Sequence, residues 1–141
     1  MDANRLTQKS QEAFSEAQTK AVRFGHVEID VEHLLAALLE QEGGLVPRLF
    51  TKMDVPVEPF NAEVEKELQK RARVSGPGAE AGKVYITQRL NKLLVKAEDE
   101  AKRLKDEYVS VEHLLLAMVD EGKSYPSGRI LAQFNINKIG R

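Results

Sequence analysis

Apolar residues recur along this chain at the three-to-four-residue spacing of helices that bury one face. Leu90, Leu93, Leu94, Ala97, Ala101 and Leu104 form one stripe, and Ala13, Phe14, Ala17, Ala21 and Phe24 form its equivalent 80 positions earlier, where only Ser10 departs. Thr7 and Thr87 stand where an N-cap hydroxyl would satisfy the first unpaired N–H groups. Gly25 offers a left-handed stop for the first helix, while Lys105-Asp106 must turn without glycine. Second helices begin after Asp30 and Ser110 and read EHLLAALLEQ and EHLLLAMVDE, apolar almost all round and therefore central. Gly43-Gly44 and Gly122 end them. Short third helices are expected at about 46–53 and 127–134. A fourth is expected near Pro59 at a first helical position, with Phe60, Val64, Leu68 and Ala72 toward the core.

The spacing between these patterns is itself informative. Sliding the chain by 80 aligns residues 7–41 with 87–121 without a gap, and 11 of the 35 pairs are identical. After one inserted residue, Arg48-Leu49-Phe50 faces Arg129-Ile130-Leu131. VSGPGAEAGK at 74–83 reads as the linker between copies. No alternation of β-branched residues persists. The expected fold is all-α: two tandem four-helix repeats, 6–73 and 84–141, related by a pseudo-twofold axis within one domain spanning 1–141. Each repeat is too short to bury an adequate core alone, so the two should pack together. The fourth helix of the second repeat would begin around Asn137 and be truncated at Arg141.

Composition narrows the chemistry. With 141 residues, 21 Lys+Arg against 22 Asp+Glu and no Cys, there is no basic excess for nucleic acid, no disulfide and no thiol chemistry. The longest apolar runs, Leu34 to Leu39 and Leu114 to Val119, are far short of a membrane span, and MDANRLTQKS has no apolar signal region. A soluble, cytoplasmic chain is expected, with no membrane partner. A nucleotide-binding loop ending at Gly82-Lys83 fails because Pro77 occupies its first glycine position and Val84 follows the lysine. His33 and His113 sit in first helical turns beside Glu32 and Glu112. Neighbours on a helix point about 100° apart and do not readily share an ion, so neutral, hydrogen-bonded histidines are expected and no metal. His26 reads as a solvent-side loop residue. Glu98-Asp99-Glu100 before Lys102 is a solvated ion-pairing face, and no nucleophile–base set suggests an enzyme.

LTQKSQEAFSEAQ, the twin VEHLL segments, EGGLVPRL, VSGPG and KDEYVSVEHLLLA, in that order, resemble the Clp N-terminal (Clp repeat) domain of ClpB-type disaggregase chaperones, over about residues 5–136. The resemblance implies a non-catalytic domain preceding AAA+ modules of a hexameric ring, where any ATP would bind; those modules lie outside these residues. It implies capture of unfolded or aggregated polypeptide, handed to the ring, with a possible co-chaperone or adaptor as partner. The alternative is a docking platform for a folded adaptor, as in ClpA or ClpC types; a minor variant recognises phosphorylated arginine through paired acidic pockets that Glu32 and Glu112 could help form. A free-standing helical enzyme is the remaining class. By resemblance the polypeptide-binding residues are Thr7, Asp106 and Glu112. Their local chemistry has plainer readings: Thr7 as a cap, Asp106 as a helix terminator, Glu112 as a first-turn acid favoured by the helix dipole. The repeat symmetry keeps Thr87 and Glu32 as counterparts but places His26 opposite Asp106. An apolar groove with a charged rim is expected where the copies meet.

Overall fold

The computed structural model describes residues 3–74 and 83–137. Most of the proposed linker, 75–82, and the proposed final helix beyond Asn137 lie outside the described residues. The first repeat contains α1 (Gln8–Phe24), α2 (Val31–Glu40), α3 (Leu45–Lys52) and α4 (Val57–Gln69). The second contains α5 (Gln88–Arg103), α6 (Val111–Glu121) and α7 (Pro126–Gln133). No described helix is long and apolar enough to cross a membrane.

The caps follow the local chemistry. The Thr7 hydroxyl accepts from the Ser10 N–H at 3.2 Å and that of Thr87 from the Leu90 N–H at 3.0 Å. Gly25 adopts φ 76°, and Lys105, its counterpart, is forced to φ 61° despite its side chain, a conformation that costs a non-glycine residue about 1 kcal/mol. Two readings of the sequence change. Leu104, counted on the buried stripe, caps α5 and is 44% exposed because the chain turns away there. Likewise α4 begins at Val57, so Pro59 is its third residue, where an N–H would have had no intrahelical partner anyway; α4 ends at Gln69, leaving Ala72 exposed.

Two short strands, β1 (Glu28–Ile29) and β2 (Tyr85–Ile86), pair in parallel, with Ile29 opposite Ile86. Leu6 and Val109 form an isolated parallel bridge. Adding 80 to Leu6 and Ile29 yields Ile86 and Val109, so each bridge is the image of the other under the repeat. In both, the extended residues just before one repeat's first cap run beside those before the other repeat's second cap. Thr7 N–H donates to the Val109 carbonyl at 3.1 Å, and Thr87 N–H to the Ile29 carbonyl at 3.2 Å. The repeats are thus joined by reciprocal exchange about a pseudo-twofold axis. Two-residue strands are too short to leave a period in the sequence.

The packing is shared across the repeats. Every residue of α2 from Val31 to Leu39 is buried, because α2 packs against α1, α3 and α4 on its own side and α5, α6 and α7 on the other. Phe60 stacks edge-on to Phe50, centroids 4.9 Å apart, and meets Phe134 after α7 at 5.1 Å. Buried apolar residues from Ala13 to Ile136 form one continuous core. Ser10, the polar gap in the α1 stripe, is fully buried and donates to the Val109 carbonyl at 2.9 Å. In the first turn of α7, a Cβ on Gly128 would lie 1.8 Å from the Gly122 carbonyl oxygen at the end of α6. Gly128→Ala must push backbone aside, and denaturant unfolding should show a loss of about 2 kcal/mol or more.

Candidate functional site

The structure brings Thr7, Asp106 and Glu112 to one end of the molecule. The Leu6–Val109 bridge fastens Thr7 to the middle of the segment that carries the other two. Thr7 Oγ1 donates to Ser10 Oγ at 3.0 Å, so its hydroxyl is engaged as a cap. Asp106 follows the left-handed Lys105; its N–H donates to the Ala101 carbonyl at 2.8 Å, and its exposed carboxylate accepts from His113 Nε2 at 2.8 Å. Glu112, beside His113, is half-buried and makes no side-chain hydrogen bond among the described residues. Leu104 and Tyr108, 44% and 49% exposed, flank Asp106. This end therefore presents two carboxylates next to two exposed apolar side chains.

The twofold-related end uses the same residue types inwardly. Thr87 Oγ1 donates to Asp30 Oδ1 at 2.9 Å. Glu32, counterpart of Glu112, is wholly buried; Arg71 and Arg89 donate to its Oε1 and the Ser127 N–H to its Oε2 at 3.1 Å. Arg89 also forks onto Glu121 at 2.7 and 2.8 Å, reaches Ser127 Oγ at 2.7 Å, and lies over the Tyr125 ring at 4.2 Å. Arg71 bridges to Asp30 at 2.9 Å. Glu32 is thus closed by this chain's own guanidiniums, and the paired acidic pockets considered for phosphorylated arginine have no second member here. Sequence reading missed this cluster. Its trace was there, since Arg89 and Glu121 replace Lys9 and Gln41 of the other copy.

His26 is buried, not a solvent-side loop residue: the turn after α1 folds it inward, stacked on Phe24 at 5.3 Å and bonded through Nδ1 to His33 Nε2 at 2.8 Å. His33 Nδ1 accepts from the Asp30 N–H at 2.9 Å and His113 Nδ1 from the Ser110 N–H at 2.9 Å. Both are histidines at the third position of a capping box, where Glu or Gln is usual. With Nδ1 accepting, the ring proton sits on Nε2, donated to His26 in one repeat and to Asp106 in the other. His26 and Asp106, unlike in chemistry, hold the same atom of the same helix-entrance histidine.

The family described as the Clp repeat (R) N-terminal domain matches residues 5–134. The chain belongs to this family. It is 51% identical over 138 residues to a chaperone protein ClpB of Nitratidesulfovibrio vulgaris, covering 98% of this chain and 16% of that protein. The Hsp104 N-terminal domain of Candida albicans superposes with a TM-score of 0.77 at 20% identity, over 93% of this chain and 82% of the other. A ClpV N-domain in complex with a VipB peptide does so at 0.71 and 18% identity, over 94% and 81%. At those identities the two structures establish the shared fold.

Electrostatics in this Clp repeat domain divide the two ends. Burial would lower the Arg89 pKa, but its bonds to Glu121 and Glu32 outweigh that and hold it above the ordinary value. Burial would raise that of Asp30; the Val31 N–H, Arg89, Arg71 and Thr87 together hold it below the usual carboxylate range. His33 is pushed down to about 4, first by burial, then by His26 and Arg71. Among the described residues no three His, Asp or Glu converge as a metal cluster.

Two outcomes follow for the folded chain. Arg89→Ala removes the guanidinium fork from Glu121 and one of the two guanidiniums that hold buried Glu32, and should cost about 3 kcal/mol in urea unfolding. His33 takes up its proton near 6.5 when unfolded but only near 4 when folded. Its contribution is therefore complete above pH 6.5 and is lost as pH falls toward 4, by at most about 3 kcal/mol. Unfolding midpoints measured across that window should drop on acidification, and His33→Gln, which keeps a capping side chain, should flatten the slope.

Proposed function

We propose that this Clp repeat domain is a non-catalytic recruiting module that holds unfolded or aggregated polypeptide at the Thr7, Asp106 and Glu112 end and delivers it to an AAA+ ring of a ClpB-type chaperone in the cytoplasm. The carrying observation is the juxtaposition itself. The bridge between Leu6 and Val109 brings Thr7 to the distant segment that carries Asp106 and Glu112, beside exposed Leu104 and Tyr108. An unfolded chain offers apolar side chains and unpaired backbone N–H groups. Exposed apolar residues meet the first need, and the carboxylates of Asp106 and Glu112 can accept from the second. A surface this small supports weak binding, suited to a transfer step, and six copies around a ring would supply avidity.

The inward use of the opposite end supports assigning recruitment to one end only, because Glu32 already has partners whereas the Glu112 carboxylate has no hydrogen bond among the described residues. A second reading, docking of a folded adaptor, draws on the ClpV N-domain, whose structure contains a VipB peptide. The two differ in what they bind: an adaptor would form a stoichiometric complex that excess unfolded chain does not displace.

The test is titration of the 141-residue chain with a permanently unfolded model protein, followed by fluorescence anisotropy. Asp106→Ala with Glu112→Ala and Tyr108→Ala should raise Kd at least fivefold, about 1 kcal/mol. Thr7→Ser, which keeps the cap, should bind normally, and Thr7→Ala should add to the loss. Unchanged Kd in the Asp106/Glu112/Tyr108 variant would remove this end from the account.

A further inference from the structure

An exposed aspartate beyond a helix end ordinarily samples several rotamers, and ordering it against a partner weakens binding. Asp106 is instead fixed from two directions. Its N–H donates to the Ala101 carbonyl at 2.8 Å, just after the left-handed Lys105. Its side chain is 52% exposed, yet Oδ2 lies 2.8 Å from Nε2 of His113, a residue of α6 that is only 3% exposed. The other carboxylate oxygen, Oδ1, carries no hydrogen bond among the described residues.

The His113 ring is itself set by buried groups. The Ser110 backbone N–H can only donate, and it lies 2.9 Å from His113 Nδ1, so the neutral ring carries its proton on Nε2, facing Asp106. The His113 backbone N–H closes the capping box on the Ser110 side chain, and Val111, Leu114 and Leu115 around it are buried in the core. The rotamer of an exposed acid is thereby tied to the packed interior. A capping box needs only an acceptor at its third position, which Glu or Gln supplies. The Nε2–H, on the far side of the ring, is the part of His113 that the cap does not require. In the first repeat the same donor is spent on buried His26, and no carboxylate is presented.

We propose that His113 is a positioning residue for polypeptide binding: its Nε2–H holds Oδ2 of Asp106 and leaves Oδ1 to accept an N–H of the captured chain. This rests on the assignment of polypeptide to the Asp106 end. His113 stays buried and acts only through Asp106. A carboxylate held in one rotamer before its partner arrives avoids the ordering that a loose one undergoes, a difference of about threefold in Kd for a short side chain.

The test is titration of the 141-residue chain with a reduced and alkylated, permanently unfolded protein, in two variants at one position. His113→Leu removes both ring bonds while filling the buried space. His113→Gln offers one amide that can accept from the Ser110 N–H and donate toward Asp106. The leucine variant should raise Kd about threefold or more, and the glutamine variant should lie closer to the parent chain than to the leucine variant. Combined with Asp106→Ala, His113→Leu should add nothing, because the group through which it acts is gone. In the unaltered chain, NMR of the His113 ring nitrogens should show the Nε2–H tautomer, and the Nε2 signal should move saturably with the unfolded protein, since a bond accepted at Oδ1 draws charge from Oδ2. Should His113→Leu lose its core methyl signals, the ring signals of the unaltered chain decide. Unchanged Kd in His113→Leu, a full effect persisting on top of Asp106→Ala, no recovery in His113→Gln, or an Nε2 signal indifferent to the unfolded protein would overturn the proposal while Asp106→Ala alone still weakens binding. Unchanged Kd in Asp106→Ala itself would retire the binding end, and this proposal with it.

Discussion

A carboxylate removed completely from water must be compensated inside the protein, and Glu32 is such a group at the start of the most buried helix of this chain. Its partners come from three places remote in sequence: Arg71 just after α4, Arg89 in the first turn of α5 and the Ser127 N–H at the head of α7. Satisfying one side chain therefore sets the position of the second repeat on the first. The apolar core supplies most of the driving force, but hydrophobic contact is non-directional and would tolerate sliding. The guanidinium fork between Glu32 and Glu121 tolerates none, because a shifted helix would strand buried charge. Whether such clusters stabilise in net terms varies between proteins, but here the geometry assigns them a register.

Once one end is committed to that lock, the two halves cease to be equivalent. The duplication delivered the same instruments to both ends: a capping threonine, a capping-box histidine and a first-turn glutamate. At one end the glutamate meets arginines and closes. At the other, Lys9 and Gln41 stand where Arg89 and Glu121 would be, and Gln41 instead donates to the Lys9 carbonyl at 2.8 Å. Glu112 is left half-buried, with no side-chain hydrogen bond among the described residues. The exchange of Asp106 for His26 acts in the same direction, since an exposed carboxylate and a buried imidazole each hold the neighbouring histidine but present different chemistry to the surroundings.

Much of this was legible beforehand. The helical periods, the caps at Thr7, Thr87, Asp30 and Ser110, the left-handed stop at Gly25 and the duplication are local or nearly local. Each depends on spacing along the chain, which the sequence states directly. The membership of Thr7, Asp106 and Glu112 in one constellation came through resemblance, and the structure adds that a backbone bridge unites them. Less visible were the boundaries. Leu104 and Ala72 carry the apolar period past the ends of their helices, where the chain has already turned.

What the sequence determined alone, then, was the kind of element at each place and the fact that there are two copies, because hydrogen bonds within a helix and the period of its buried face are fixed by residues three or four apart. What only the tertiary structure decided was the fate of identical side chains. Glu32 and Glu112 differ in burial because Glu32 meets partners 39 to 95 positions away, and the energy of a charge is set by the groups around it in space rather than by its neighbours in the chain.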